Sequence, residues 1–370
     1  MDLNFLKDNF KTAIDHEKNF IHKSKHWNNF FNEKNLNNFL VDENLINFRK
    51  DQILSKGLDD SHNMTNKIKL EDYLNEFSDD FLIKNLASKN VGNSTYNNKI
   101  LNLFYDYGEL CHLEYFKKFE KEISNNSIIC EIGAGYGNLA RIIKNNFKVK
   151  IILIDLPQAN LLQSYYLMSF FPNYKFYLYK DYLKENCLSK ESIDKNDFFI
   201  LPPNLKIDDQ IKIDFFINTK SLMEMDYQMV KYYFNIIQKN ITKNGFFFNL
   251  NKYTHFKSSN WKNSIWDFPY DKNWDVISSG PMKKQPQLHA LLTKREYENF
   301  NNNILSHLQE LKGNYGKTYS KKSNYFKQKL QFKINRVIYL IFRKATNTIL
   351  SKKYLKKIII FLQSVYQSKL

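Results

Sequence analysis

One stretch constrains the fold of this 370-residue chain more than any other. Between residues 127 and 157 it reads SIICEIGAGYGNLARIIKNNFKVKIILIDLP. An apolar run, IICEI at 128–132, leads directly into Gly133, Gly135 and Gly137 at alternate positions. A segment of helical character follows at 138–146, and then a second apolar run at 149–154 that ends on Asp155. A strand that must reverse at once into a helix needs backbone freedom at the turn, and glycine supplies it. The pattern predicts a strand–turn–helix–strand unit, the repeating piece of an open parallel sheet.

The rest of the chain extends that unit. Short apolar runs recur at 175–179, 213–217 and 245–250, and segments with helical spacing lie between them at 158–170 and 226–240. Strands alternating with helices predict an α/β fold, a Rossmann-like doubly wound sheet whose ligands sit outside the carboxyl ends of the strands. Residues 1–100 are polar, with helical spacing in LEDYLNEFSDDFLIKNLAS (70–88), and predict a helical N-terminal region. A further helix is expected over 109–122. The expected organisation is a helical region at 1–100, a ligand-binding sheet domain at 101–310 and an extension at 311–370.

Charge separates that extension from the body. Of 55 Lys and Arg, 15 fall in residues 311–370, which contain no Asp or Glu, while the first 310 residues are nearly balanced. Cys111, Cys130 and Cys187 are widely spaced and form no CxxC pair, which argues against a zinc site or a disulfide-stapled fold. The first twenty residues are charged throughout, without the apolar core of a signal peptide. The longest apolar runs fall far short of the roughly 20 residues of a spanning helix. A cytoplasmic location is expected.

Two acids give the glycine turn its chemistry. Glu131 stands two residues before Gly133, and Asp155 closes the second strand. A dinucleotide site of the form GxGxxG would place its third glycine at 138, where this chain has Asn138. It also has no particular use for a carboxylate at 131. A cofactor with a cationic centre and an amino group does, and a carboxylate at the end of strand two can accept both ribose hydroxyls. The combination of Glu131, the three glycines and Asp155 resembles motif I of the class I S-adenosylmethionine-dependent methyltransferases. After the fourth strand, Asn218 and the segment NTKSLMEM (218–225) resemble the sugar O-methyltransferase family of bacterial polysaccharide loci. The resemblance covers roughly residues 100–300.

That resemblance implies S-adenosylmethionine against Glu131, Gly133, Gly135 and Gly137, with its ribose on Asp155. It implies Asp181, past the 175–179 run, near the adenine amino group. Asn218 would face the methionine end or the substrate. Methyl transfer to a sugar hydroxyl needs alignment and a base that takes the hydroxyl proton. His289, Glu224 and His255 are the candidates: His255 follows strand five, His289 falls in an expected antiparallel hairpin of strands six and seven, and Glu224 sits at the mouth of strand four. Trp261, Trp266, Phe268, Tyr270 and Trp274 offer either sugar-stacking faces or a lid packed on the core.

Other methyl acceptors have little support. The position after strand four reads NTKS rather than the Asn/Asp-Pro-Pro-aromatic turn of base N-methylation, and Cys187 lacks the setting of a cytosine C5 nucleophile. No acid cluster at the site demands a metal. The segment 332–366 alternates apolar positions with Lys333, Arg336, Arg343, Lys344, Lys352, Lys353, Lys356 and Lys357. This basic amphipathic pattern suits peripheral association with an anionic membrane, packing on the N-terminal region or on a second subunit, or RNA binding.

Overall fold

The two apolar runs that flank the glycine turn form adjacent parallel strands, in which Glu131 pairs with Leu153. Nearly every residue of both is buried, so the runs are apolar on both faces because helices cover both faces. The computed structural model describes residues 2–17, 33–50, 54, 73–94, 96–98, 101–256, 262–296 and 301–320. The chain divides into two units, residues 1–309 and 310–370. Of the second unit only the end of one helix is among the described residues, and the basic segment 332–366 lies outside them.

The strands, in chain order, are β1 (Tyr96–Asn98), β2 (Leu103–Tyr105), β3 (Ile128–Ile132), β4 (Lys150–Ile154), β5 (Phe176–Tyr177), β6 (Phe198–Leu201) and β7 (Ile213–Thr219). They continue with β8 (Ile241–Lys252), β9 (Thr254–Phe256), β10 (Lys262–Ser264), β11 (Trp274–Pro281) and β12 (Leu288–Arg295). Eight of them form one sheet in the order β11-β12-β8-β7-β3-β4-β6-β5. The pairs from β8 through to β5 are parallel, and β12 runs antiparallel between β8 and β11. The strand order reverses at β3, which places the crevice of a doubly wound sheet over its carboxyl end.

The helices are α1 (Leu3–Glu17), α2 (Glu33–Phe39), α3 (Asp42–Ile46), α4 (Asp79–Asn85), α5 (Tyr107–Lys117) and α6 (Asn138–Asn146). After them come α7 (Pro157–Phe170), α8 (Tyr179–Glu185), α9 (Lys190–Lys195), α10 (Tyr227–Asn240) and α11 (Ile304–Ser320). Two of the starts are explicit in the sequence. Asp106 and Glu109 form a reciprocal capping box on α5, and Pro157 opens α7 where its missing N–H has no helical partner to lose. The helical spacing at 70–88 gives α4, capped by the Ser78 hydroxyl on Phe81 N–H at 3.3 Å.

One strand departs from the sequence reading. The third run, at 175–179, forms only the two-residue edge strand β5, and the strand beside β4 is β6. The β6 residues FFIL run straight into Pro202 and Pro203 and carry no apolar–polar alternation. In the fold they are fully buried between β4 and β5, and Phe198 stacks on Phe176 with centroids 4.9 Å apart.

Candidate active site at the carboxyl ends of the strands

The turn after β3 is held in left-handed backbone at Gly133, Gly135 and Gly137, with φ of 76°, 59° and 90°. The Gly133 N–H donates to the Ile154 carbonyl at 2.8 Å. A Cβ on Gly133 would stand 2.1 Å from Ser221 Oγ, so any side chain here would have to displace Ser221. Between the glycines, Tyr136 is fully buried against Phe48 and Tyr166, with ring centroids at 5.4 and 5.0 Å. Asn138, where a dinucleotide turn would carry its third glycine, is buried instead as a polar hub. Its Oδ1 accepts from Arg141 Nη2 at 2.9 Å and Tyr166 OH at 3.1 Å, and its Nδ2 faces His112 Nδ1 at 2.9 Å. The donors on Oδ1 fix the amide orientation, so Nδ2 donates and His112 Nδ1 accepts.

The two acids differ in how they are held. Asp155 Oδ2 accepts the Gly135 N–H at 3.0 Å and Gln163 Nε2 at 3.3 Å, and Oδ1 accepts the Leu156 N–H at 2.8 Å. Burial pushes its carboxyl up to about 7, against the pull of these donors. Glu131 is 1% exposed, and its Oε2 has no hydrogen-bond partner among the described residues. Burial first, and the Asp155 charge second, push it up to about 8. Burial thus favours the neutral carboxyl, and a cationic ligand beside it would favour the ionised form.

Asn218, at the end of β7, joins three elements. Its Nδ2 donates to the Ile132 carbonyl at 2.8 Å, and its Oδ1 accepts from Asn251 Nδ2 at 2.9 Å and the Leu222 N–H at 3.3 Å. Ser221 Oγ donates to the same Ile132 carbonyl at 3.0 Å. The NTKS segment is therefore tied to the strand end that launches the glycine turn. Lys220, within it, has a left-handed φ of 66°, a strained conformation for a residue with a side chain.

The candidate bases lie on neighbouring elements at this end of the sheet. Glu224 ends a 3-10 turn at Leu222–Glu224 and is partly exposed. His255 lies on β9, whose hairpin with β10 packs on that turn; Asn263 Nδ2 of β10 donates to the Leu222 carbonyl at 3.2 Å. His289 lies in the antiparallel β11–β12 hairpin, buried, with Nδ1 3.0 Å from Tyr253 OH and Nε2 2.7 Å from Ser279 Oγ. Burial, and then His307, hold it down to about 4, so the ring is neutral and both nitrogens are engaged. Asp181 lies beyond the edge strand β5, where its carboxylate accepts the Leu178 N–H at 3.1 Å as the N-terminal capping acid of α8.

The aromatic cluster takes the packing role of the two open to it. Trp266, Phe268, Tyr270 and Trp274 are buried; Tyr270 packs on Phe234 at 4.8 Å and on Trp274 at 5.8 Å. Trp261 lies outside the described residues.

Sequence reading missed the charged floor beneath the turn. Arg49 is buried with Nη2 2.8 Å from Asp106 and 2.5 Å from Glu109, and its guanidinium lies 5.4 Å from the Tyr136 ring centroid. Arg141 stands 3.7 Å from Glu109 and donates to the Asn85 carbonyl at 2.8 Å. These partners are 57 and 60 residues from Arg49, a separation over which no periodicity signals contact. Only the three-residue spacing of Asp106 and Glu109 is a local signal, and it points to a helix start rather than to Arg49.

Strand order, the antiparallel β12 and the glycine turn define a Rossmann-like doubly wound α/β sheet. No family model matches the chain, and no curated protein matches it in sequence. Among solved structures it is similar to a mitomycin 7-O-methyltransferase, at 13% identity over 51% of this chain and 55% of that one, TM-score 0.32. It is similar to a phosphoethanolamine N-methyltransferase of Haemonchus contortus, at 11% identity over 56% and 47%, TM-score 0.32. It is also similar to a pyocyanin biosynthetic protein, at 10% identity over 70% and 76%, TM-score 0.34. The match thus spans about half the length of the first two. At these TM-scores the likenesses add nothing to the fold, which rests on strand order and register.

Proposed function

We propose that this protein is an S-adenosylmethionine-dependent O-methyltransferase that methylates a sugar hydroxyl during assembly of cell-surface polysaccharide. The observation that carries the cofactor reading is Glu131, a buried carboxyl with one oxygen lacking a partner among the described residues, beside a turn whose Cβ-free Gly133 lies against Ser221. In this reading Glu131 and the glycine backbone hold the methionine end, and Asp155 accepts from the ribose. The bound cofactor supplies an electrophilic methyl on a sulfonium that departs as a neutral thioether.

The chain's own work is then to orient the acceptor and remove its proton. Glu224 fits that role best: it is partly exposed at the mouth of β7, and the β9–β10 hairpin carrying His255 packs beside it. What speaks against His289 is that both ring nitrogens already have partners. The sugar acceptor is supported by the NTKSLMEM segment, whose Asn218 and Ser221 brace the turn. The basic segment 332–366 would hold the enzyme at the cytoplasmic face of an anionic membrane, each Lys or Arg there being worth about 1 kcal/mol.

Mass spectrometry of surface glycan from cells with and without the gene tests the acceptor. The proposal expects a sugar residue lighter by one methylene in the deletion. Identical glycans in both would refute the sugar assignment.

A further inference from the structure

We infer that Gln163 is a positioning residue of the cofactor site, locking the Asp155 carboxylate and the glycine turn into a single geometry; this rests on the reading of that turn as the S-adenosylmethionine site. Gln163 lies on α7, in the second turn after the strand end that carries Asp155. Its Nε2 donates to the Gly135 carbonyl at 2.9 Å and to Asp155 Oδ2 at 3.3 Å. Asp155 Oδ2 also accepts the Gly135 N–H at 3.0 Å. One amide group therefore bridges the backbone of the turn and the acid that would take the ribose, and closes a ring through Gly135. A Cβ on Gly137 would lie 3.6 Å from Gln163 Cγ, so the side chain runs beneath the turn along its length.

A residue serving only to fill this space would be apolar. Gln163 is 0% exposed, and its Oε1 has no hydrogen-bond partner among the described residues. A buried amide oxygen left unpaired is costly, and an apolar side chain of similar size would avoid that cost. What the amide gives in return is the pair of bonds from Nε2. The donor matters to charge as well as to shape. Asp155 sits where burial disfavours its ionised form, and an N–H aimed at Oδ2 favours it. The titratable groups that face it are Glu131 on β3 and Tyr233 on α10, and burial holds Tyr233 neutral well above its ordinary range. Gln163 is thus a side-chain donor to Asp155, set between the acid and the turn.

The test uses the full chain and the variants Gln163→Leu and Gln163→Met, either of which serves should the other fail to fold. The first readout is the carboxyl-carbon NMR titration of Asp155 in ligand-free protein, assigned with Asp155→Asn. The second is calorimetric affinity for S-adenosylmethionine across about pH 6 to 9. Loss of the donor is expected to raise the Asp155 midpoint, to shift the acidic limb of binding upward with it, and to weaken binding at neutral pH roughly tenfold, the scale of a lost hydrogen bond to a charged group. A midpoint and a limb that coincide with those of the parent protein would overturn the inference and leave Gln163 as core packing. A midpoint that moves in a protein showing no binding heat at all would keep the Gln163–Asp155 coupling and refute the cofactor reading instead.

Discussion

Ser221 Oγ occupies the place where a Cβ on Gly133 would stand, 2.1 Å away. The turn after β3 and the segment after β7 are therefore fitted to one another. Gly133→Ala forces both a left-handed alanine and a displaced Ser221. It is expected to destabilise the protein by about 2–4 kcal/mol, the sum of backbone strain and overpacking. Thermal unfolding measures this, and adding Ser221→Gly should recover the overpacking share while the strain at φ 76° remains.

Glu131 makes stability and ligand binding run in opposite directions with pH. Its native carboxyl is pushed up to about 8, above the ordinary carboxylate range. Between that range and pH 8 the native state holds a proton that the unfolded chain has lost, so stability falls as pH rises. Asp155, pushed up to about 7, adds to the same slope. A cationic cofactor prefers both acids ionised, so its affinity should rise over the same interval. Glu131→Gln is expected to flatten the stability slope, to stabilise the ligand-free protein at about pH 9 by ~1–2 kcal/mol, and to weaken cofactor binding. Denaturant unfolding at several pH values checks the first two effects.

The candidate bases should separate kinetically. Glu224→Gln is expected to lower kcat by about 10²–10⁴-fold with little change in unfolding temperature, because the side chain is partly exposed. His289→Gln is expected to do the reverse. It removes a buried ring bonded to Tyr253 and Ser279, costing ~1–3 kcal/mol of stability while kcat stays within several-fold of the parent. Steady-state kinetics paired with thermal unfolding distinguishes the two.

Arg49 is expected to be indispensable to the fold around the turn. Arg49→Met leaves Asp106 and Glu109 buried without their nearest cation, at a cost of about 3–5 kcal/mol. Urea denaturation measures it, and Glu109→Gln added to Arg49→Met should recover part of the loss.

What was legible in the sequence follows the range of the forces involved. β3, β4 and the helix between them were readable because short-range periodicity and glycine placement determine them. The strands at 213–217 and 245–250 were readable for the same reason, and the structure extends them to Ile213–Thr219 and Ile241–Lys252. β6 was not, since four apolar residues before two prolines carry no period, and only pairing with β4 makes them a strand. Gln163 was hidden inside an ordinary helical run, its function depending on a turn 28 residues earlier. His289 was placed in the right hairpin, but whether its nitrogens are free is a matter of Tyr253 and Ser279, which only the fold brings to them.

The central claim is that Asp155 and Glu131 hold a nucleoside sulfonium over the glycine turn. Calorimetric titration of the full chain with S-adenosylmethionine, set beside Asp155→Ala, tests it most directly. The account predicts saturable binding to the parent protein, weakened by about 1–3 kcal/mol in the variant, the loss expected for hydrogen bonds to a charged group. Absence of binding, or equal affinity in the two proteins, would contradict it.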